Sequence, residues 1–169
     1  MLMSASKYHH MGFSLIEVLI SLLLICVGIL GMVALQSKAI PYTQDSVQRS
    51  SAQMLASDLM ELIRSDSANV SSYVKNTGSD FPNAPDSCVP MPDSASDRLG
   101  CWAARAKTLL PGADSLLKGD FYICKSKTPG ACDASGSAVE IQIAWTSKAG
   151  ECMDESSGTT CHYRLRTGL

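Results

Sequence analysis

Residues 12–20 read Gly-Phe-Ser-Leu-Ile-Glu-Val-Leu-Ile and open an apolar segment that continues to Leu35. From Val18 to Leu35 this segment carries no charged residue. As a helix with a rise of about 1.5 Å per residue, Phe13 to Leu35 would reach about 35 Å, which exceeds the roughly 30 Å hydrocarbon core of a bilayer. The segment is therefore predicted to be a helix that can span a membrane.

A secretory signal peptide is the alternative interpretation of this segment. Lys7 would supply its positive charge, and Ser37-Lys38-Ala39 would supply a small-residue cleavage site. Such signals have an apolar region of about 7 to 15 residues. Because the segment here is longer and carries Glu17 close to its start, we favour a membrane anchor.

Glu17 is the one charged residue between Phe13 and Leu35. A carboxylate inside a bilayer costs about 2.5 to 3.5 kcal/mol on insertion scales, so it is rare without a role or a partner. The position of Glu17 near the helix start also permits its side chain to reach the membrane interface. The residues alone leave both explanations open.

Length, charge and motifs argue against several kinds of function. The 169 residues have room for one modest domain and a long helix. A formal net charge of −2 gives no broad basic field that would attract nucleic acid. The chain contains no G-x-S-x-G, H-E-x-x-H, P-loop or G-x-G-x-x-G sequence, and His162 is the one histidine after the apolar segment. We therefore expect no enzyme activity, no cofactor and no metal ion.

The cysteines indicate disulfide bonds. Cys26 lies in the apolar segment, and six others lie in the polar remainder: Cys88, Cys101, Cys124, Cys132, Cys152 and Cys161. No pair has C-x-x-C spacing and histidines are scarce, so a zinc site is disfavoured. Disulfides imply an oxidising compartment, most simply a bacterial periplasm. Spacing does not fix the pairing, but we favour links between sequence neighbours: Cys88 with Cys101, Cys124 with Cys132, and Cys152 with Cys161.

Beyond Pro41 the apolar residues continue at helical spacing to about Ser65. They are Val47, Met54, Leu55, Leu59, Leu62 and Ile63. This pattern predicts an amphipathic helix that continues the membrane helix, with a bend near Pro41, where a backbone donor is lost. Residues 65–97 are rich in Ser, Asp, Asn and Pro, and predict a loop-dominated connector.

The remainder predicts one short helix and several strands. The helix would run from Leu99 to Leu109, against a sheet edge or over a loop, and end at Pro111-Gly112; its capping candidates are Asp93, Ser94 and Ser96. Strands are predicted at residues 121–125, 139–145 and 161–166, the last two from alternation of apolar and polar residues. The predicted fold is α+β, with a small antiparallel sheet packed on the amphipathic half of the long helix.

The Gly12-Phe13 junction, Glu17 and the long apolar helix together resemble the processing site of type IV prepilins. The resemblance implies that a prepilin peptidase cleaves between Gly12 and Phe13 and that Phe13 is then N-methylated. It also implies that Glu17 pairs with the N-terminal amine of a neighbouring subunit during assembly. Residues 1–12 would be the leader, 13–40 the transmembrane and filament-core helix, and 41–169 a periplasmic head.

Three further features resemble the PilV-type minor pilins: Leu109-Leu110-Pro111-Gly112, Ile143-Ala144-Trp145 and Tyr163-Arg164-Leu165. This resemblance implies a subunit of the inner membrane that joins other minor pilins and the major pilin, uses the pilus assembly platform, primes assembly and sits in or near the pilus tip. A minor pseudopilin of a type II secretion system is an open alternative. So is a tip adhesin or DNA-binding module, because Arg164 and Arg166 share a strand face with His162.

Overall fold

The computed structural model describes residues 14–154 and 158–168, apart from the side chains of Lys38 and Pro41. Its helices are α1 (Leu15–Ser65), a 3₁₀ helix (Ser67–Tyr73), α2 (Ala95–Leu109) and α3 (Ala113–Leu116). Its strands are β1 (Tyr122–Thr128), β2 (Ala131–Cys132), β3 (Ala138–Thr146) and β4 (Thr160–Gly168). The long helix, the small antiparallel sheet and the disulfides confirm the predicted α+β fold. The predicted leader, residues 1–12, and Phe13 lie outside the described residues.

The chain divides into two compact units, with the boundary between Ile40 and Pro41. The described part of the first unit is the beginning of α1. The second unit holds the rest of α1, the connector, the shorter helices and the sheet, and is called the head below. Helix α1 continues through Pro41 without leaving helical conformation. A bend at Pro41 stays a prediction.

The later part of α1 buries one face against the rest of the head. Its buried apolar residues are Ala52, Leu55, Ala56, Leu59, Met60 and Ile63. Spacings of three and four place these residues on one stripe of the helix. Val47 and Met54, which the sequence pattern includes in the apolar set, are exposed because the buried stripe is centred on Leu55 and Leu59.

Helix α2 lies in the core of the head. Ser94 is its N-cap, because Ser94 Oγ accepts a hydrogen bond from the Asp97 N–H at 3.0 Å. Trp102 is buried, and its Nε1 donates to the carbonyl of Leu55 in α1 at 2.9 Å. The helix also covers part of the connector, as predicted, because Gly100 packs against the backbone at Asn83; its packing on α1 was not predicted. A tryptophan needs both apolar cover and one acceptor, and α1 provides both.

The sheet is antiparallel, with strand order β2-β1-β3-β4. In the register, Tyr122 of β1 lies opposite Gln142 of β3, and Trp145 of β3 lies opposite Cys161 of β4. One face of β3 enters the core with α1 and α2, through Val139, Ile141, Ile143 and Trp145.

The second face of β3 is also buried, contrary to the half-buried strand that alternation predicts. Glu140 is 1% exposed and Gln142 is 7% exposed. Glu140 accepts hydrogen bonds from the Tyr122 hydroxyl (2.7 Å) and the Gly130 N–H (2.9 Å), and Gln142 Nε2 donates to the Asp120 carbonyl (2.7 Å). Burial, together with the bond to Glu140, raises the pKa of Tyr122 to about 12. Because these polar groups have partners, the face can be buried without unsatisfied donors or acceptors.

Three disulfides join sequence neighbours in the head. Cys88–Cys101 ties the connector to α2, Cys124–Cys132 closes the β1–β2 hairpin, and Cys152–Cys161 ties the segment after β3 to the start of β4. A disulfide typically contributes about 2 to 4 kcal/mol, mainly by restricting the unfolded chain. Two of the bridges therefore fix an irregular segment, at Cys88 or Cys152, to a regular element, and the third closes a hairpin.

Candidate functional site

The first part of α1 exposes large apolar side chains on every side. Four successive residues, which together cover a full helical turn, are each more than half exposed: Leu22 at 54%, Leu23 at 63%, Leu24 at 64% and Ile25 at 57%. Of the helices in the described ranges, α1 alone is long and apolar enough to cross a membrane. Such a surface is not stable in water without lipid or protein cover.

Glu17 lies in the first turn of α1, and its side chain is exposed. Its backbone carbonyl accepts from Ser21 Oγ at 2.7 Å. Within the described residues its carboxylate has no hydrogen bond or ion pair. The unpaired N–H groups at a helix start favour a negative charge there. Gly12 and Phe13 lie outside the described residues, so pairing of Glu17 with an amine on Phe13 stays a prediction.

A buried charged cluster joins α1 to the sheet in the head; we call it the Asp45 cluster, and its members are Asp45, Arg49, Trp145 and Met153. Asp45 is 1% exposed, and its carboxylate accepts from Trp145 Nε1 and from the Met153 N–H, both at 3.1 Å. Arg49 Nη2 lies 3.7 Å from the same carboxylate, and its guanidinium lies over the Trp145 ring at 5.4 Å. One carboxylate thus links α1, β3 and the segment before β4.

The basic residues of β4 are engaged with the sheet. Arg164 Nε donates to Gln142 Oε1 at 2.5 Å, and Arg166 Nη2 donates to the Lys127 carbonyl at 2.7 Å. The His162 ring lies between two carboxylates, at 3.4 and 3.7 Å. These contacts fix the positions of the three side chains on this face of the sheet.

An open groove of about 920 Å³ runs between α1, α2 and the connector. The large apolar residues that line it are Leu62, Val89, Met91 and Trp102. On its rim, Asp58 and Arg105 form an ion pair. Among the described residues, no group of three or more His, Cys, Asp or Glu side chains could hold a metal ion. The two carboxylates that line the groove, Asp58 and Glu61, are each paired with an arginine.

A family model described as Tt1218-like, type IV pilin Tt1218, matches residues 34–104 of the chain. Over these residues the chain is similar to type IV pilins. The match covers the later part of α1, the connector and most of α2, and it ends before the sheet. The chain matches no curated protein and no solved structure.

Within the matched region of this pilin-like chain, Lys75 is a buried cation. It is 3% exposed, and its Nζ donates to the carbonyl oxygens of Leu117 (2.7 Å), Lys118 (2.8 Å) and Phe121 (2.7 Å). The Phe81 ring lies 5.2 Å from Nζ. Burial lowers the pKa of Lys75 to about 8. Lys75 therefore ties the connector to the segment between α3 and β1.

The lowered pKa of Lys75 predicts a pH-dependent stability for the head. Between about pH 8 and the ordinary lysine pKa of 10.5, the unfolded chain holds more of this proton than the folded chain. The free energy of unfolding that Lys75 contributes therefore rises with pH in this window. Relative to Lys75→Met, the unmodified chain should gain about 2 kcal/mol from about pH 7.5 to about pH 9.5, measured by denaturant unfolding followed by tryptophan fluorescence.

Both chains in this comparison should carry Cys26→Ser, because Cys26 is a free thiol that could attack the disulfides at alkaline pH. Lys107→Met, which removes an exposed lysine paired with Asp114, is the matched control and should leave the pH dependence unchanged. The prediction is contradicted if the difference in free energy of unfolding between the two chains stays constant or falls over this pH window. The folded chain would then not release the Lys75 proton at a lower pH than the unfolded chain.

No functional role for Asp45, Arg49 or Lys75 is predicted from the sequence. The four-residue spacing of Asp45 and Arg49 on a predicted helix was a signal for an ion pair. For Lys75 the sequence holds no such signal, because its three acceptors are backbone carbonyls more than forty positions away.

Proposed function

We propose that this pilin-like chain is a minor type IV pilin that helps to prime pilus assembly and sits in or near the pilus tip complex. The observation that carries the proposal is the start of α1, where residues 15–35 form an exposed apolar helix whose only charged residue is Glu17 in the first turn. A helix of this kind can be covered first by lipid and then by the same helix of neighbouring subunits. A structural subunit, not an enzyme, is the function that this surface supports.

The proposed processing follows from the Gly12-Phe13 junction. A prepilin peptidase removes residues 1–12 and the new N-terminus, Phe13, is methylated. Residues 13–40 then form the transmembrane and filament-core helix, and residues 41–169 form the periplasmic head. The disulfides of the head support an oxidising compartment.

Glu17 has a defined role in this proposal. In the filament its carboxylate pairs with the positive N-terminal amine of a neighbouring subunit and sets the axial register. The attraction is strong there, because the surrounding apolar helices exclude water. The proposed partners are other minor pilins, the major pilin and the assembly platform of the inner membrane.

Deletion of the gene is expected to reduce the number of surface filaments per cell, and the intact gene is expected to restore it. The measurement is electron microscopy with counting of filaments, together with detection of the chain in sheared filaments at low abundance relative to the major pilin. If filament number is unchanged and export of folded enzymes from the periplasm is lost, the chain is a minor pseudopilin of a type II secretion system. Unchanged filaments and unchanged export would contradict both roles.

A further inference from the structure

Strand β4 forms one edge of the sheet. It pairs with β3 along its whole length, from Thr160 opposite Thr146 to Gly168 opposite Ala138. No other strand in the described ranges pairs with its second side. A strand in this position presents a row of backbone donors and acceptors to any extended chain that approaches it.

The direction of these backbone groups can be read from His162. Its N–H donates to Asp154 Oδ2 at 2.7 Å and its carbonyl accepts from Arg49 Nη1 at 3.4 Å, so both groups point away from β3. Backbone groups alternate along an antiparallel strand, so those of Arg164 and Arg166 point the same way. In the described part of the chain, no hydrogen bond reaches the outward N–H or C=O of these two arginines.

The arginine side chains do not shield this edge. Charged side chains commonly protect edge strands, but both guanidiniums here lie over the sheet. Arg164 bonds to the neutral side chain of Gln142, and Arg166 bonds to Ser126 and to the Lys127 carbonyl. The edge is therefore accessible, and a positive charge lies beside it.

The core side of β4 is incompletely covered. Tyr163 and Leu165 pack against the core but remain only partly buried, whereas Ile141 and Ile143, which face them on β3, are 0% exposed. A further strand beside β4 would place its own side chains next to Tyr163 and Leu165. Apolar residues at those positions would extend the core.

We propose that the β4 edge takes an extended segment of a partner protein by strand addition, in which apolar residues facing Tyr163 and Leu165 alternate with acidic residues facing Arg164 and Arg166. Within the described residues neither guanidinium forms an ion pair, because Glu140 bonds to groups of β1 and the β1–β2 turn and the two other carboxylates on this face lie beside His162. A second copy of β4 fits poorly, because antiparallel pairing would set arginines against arginines. The inference is independent of the filament role proposed above.

The test uses the full-length chain in detergent micelles and two short synthetic peptides, one alternating valine with glutamate and one alternating valine with lysine. Fluorescence anisotropy should give a dissociation constant about 10-fold lower for the glutamate peptide than for the lysine peptide. The glutamates form two favourable cross-strand pairs with Arg164 and Arg166, whereas lysines at the same positions would form two unfavourable pairs. The glutamate peptide should also slow hydrogen exchange at the Arg164 and Arg166 amides.

Three variants separate backbone pairing from charge. Arg166→Pro removes an outward N–H but leaves the backbone hydrogen bonds between β4 and β3 possible. It should lower the affinity for the glutamate peptide about 10-fold or more. Arg166→Gln removes the charge but keeps the outward backbone N–H, so it should reduce the preference between the peptides while exchange protection persists. Lys107→Gln, the same charge change on the exposed face of α2, should alter neither result.

Exchange at β3 amides checks that each variant is folded. Equal affinity for the two peptides, no slowing at Arg164 and Arg166, or unchanged binding by a folded Arg166→Pro would overturn the proposal. Self-association of the chain that Arg166→Pro abolishes would overturn it as well, because the occupant would then be a second copy.

Discussion

Glu17→Val is expected to reduce incorporation of the chain into filaments by about 10-fold or more while leaving its insertion into the membrane intact. Two opposite charges about 4 Å apart attract by about 4 kcal/mol at an effective dielectric constant near 20, and valine removes this attraction to the neighbouring N-terminus. Insertion should not suffer, because the carboxylate itself costs about 2.5 to 3.5 kcal/mol in the bilayer. Quantitative immunoblotting of sheared filaments and of membranes measures both quantities.

Ser21→Val is the matched control for Glu17→Val. It removes a polar group one turn further along α1, and the hydroxyl of Ser21 bonds only to its own helix backbone in the described residues. Filaments should incorporate this variant normally. Glu17→Gln keeps the size of the side chain and should behave like Glu17→Val. Normal incorporation of either Glu17 variant would contradict a role of this charge in assembly.

Asp45→Ala is expected to destabilise the head by about 3 to 5 kcal/mol, the usual cost of leaving one member of a buried charged group without its partner. Trp145 Nε1 and the Met153 N–H lose their acceptor, and Arg49 loses its nearest carboxylate. The free energy of unfolding in denaturant, followed by tryptophan fluorescence, measures the loss.

Asp58→Ala tests whether burial is the reason. Asp58 lies on the same helix and also pairs with an arginine, but its side chain is 44% exposed and that of Arg105 is 48% exposed, whereas the side chain of Asp45 is 0% exposed. Exposed pairs contribute about 0 to 1 kcal/mol, so this variant should be near neutral. Equal losses for the two variants would mean that the buried carboxylate does not hold α1 to the sheet.

The elements with strong periodicity were predictable from the sequence. The apolar segment and the stripe that follows predict α1 to Ser65, where the helix ends. Ser94 caps α2, and the alternation that ends at Trp145 marks β3. Each of these predictions depends on the spacing of residues that are close together in the sequence, so it requires no knowledge of distant contacts.

The parts that the sequence did not predict depend on distant partners. The alternating pattern predicts that Glu140 and Gln142 face solvent. They are buried instead, because Tyr122, Gly130 and Asp120 supply their hydrogen bonds. Helix α2 packs on α1, where Trp102 Nε1 donates to the Leu55 carbonyl. The 3₁₀ helix and the four-residue α3 were missed because elements this short have no apolar period.

The measurement to make first is the intact mass and N-terminal sequence of the chain expressed with and without a prepilin peptidase. A prepilin should yield, only with the peptidase, a chain that begins at methylated Phe13, and Gly12→Val should block this cleavage. Cleavage near Ala39, or a chain of unchanged mass in the presence of the peptidase, would contradict a pilin subunit and indicate a secreted or permanently anchored domain.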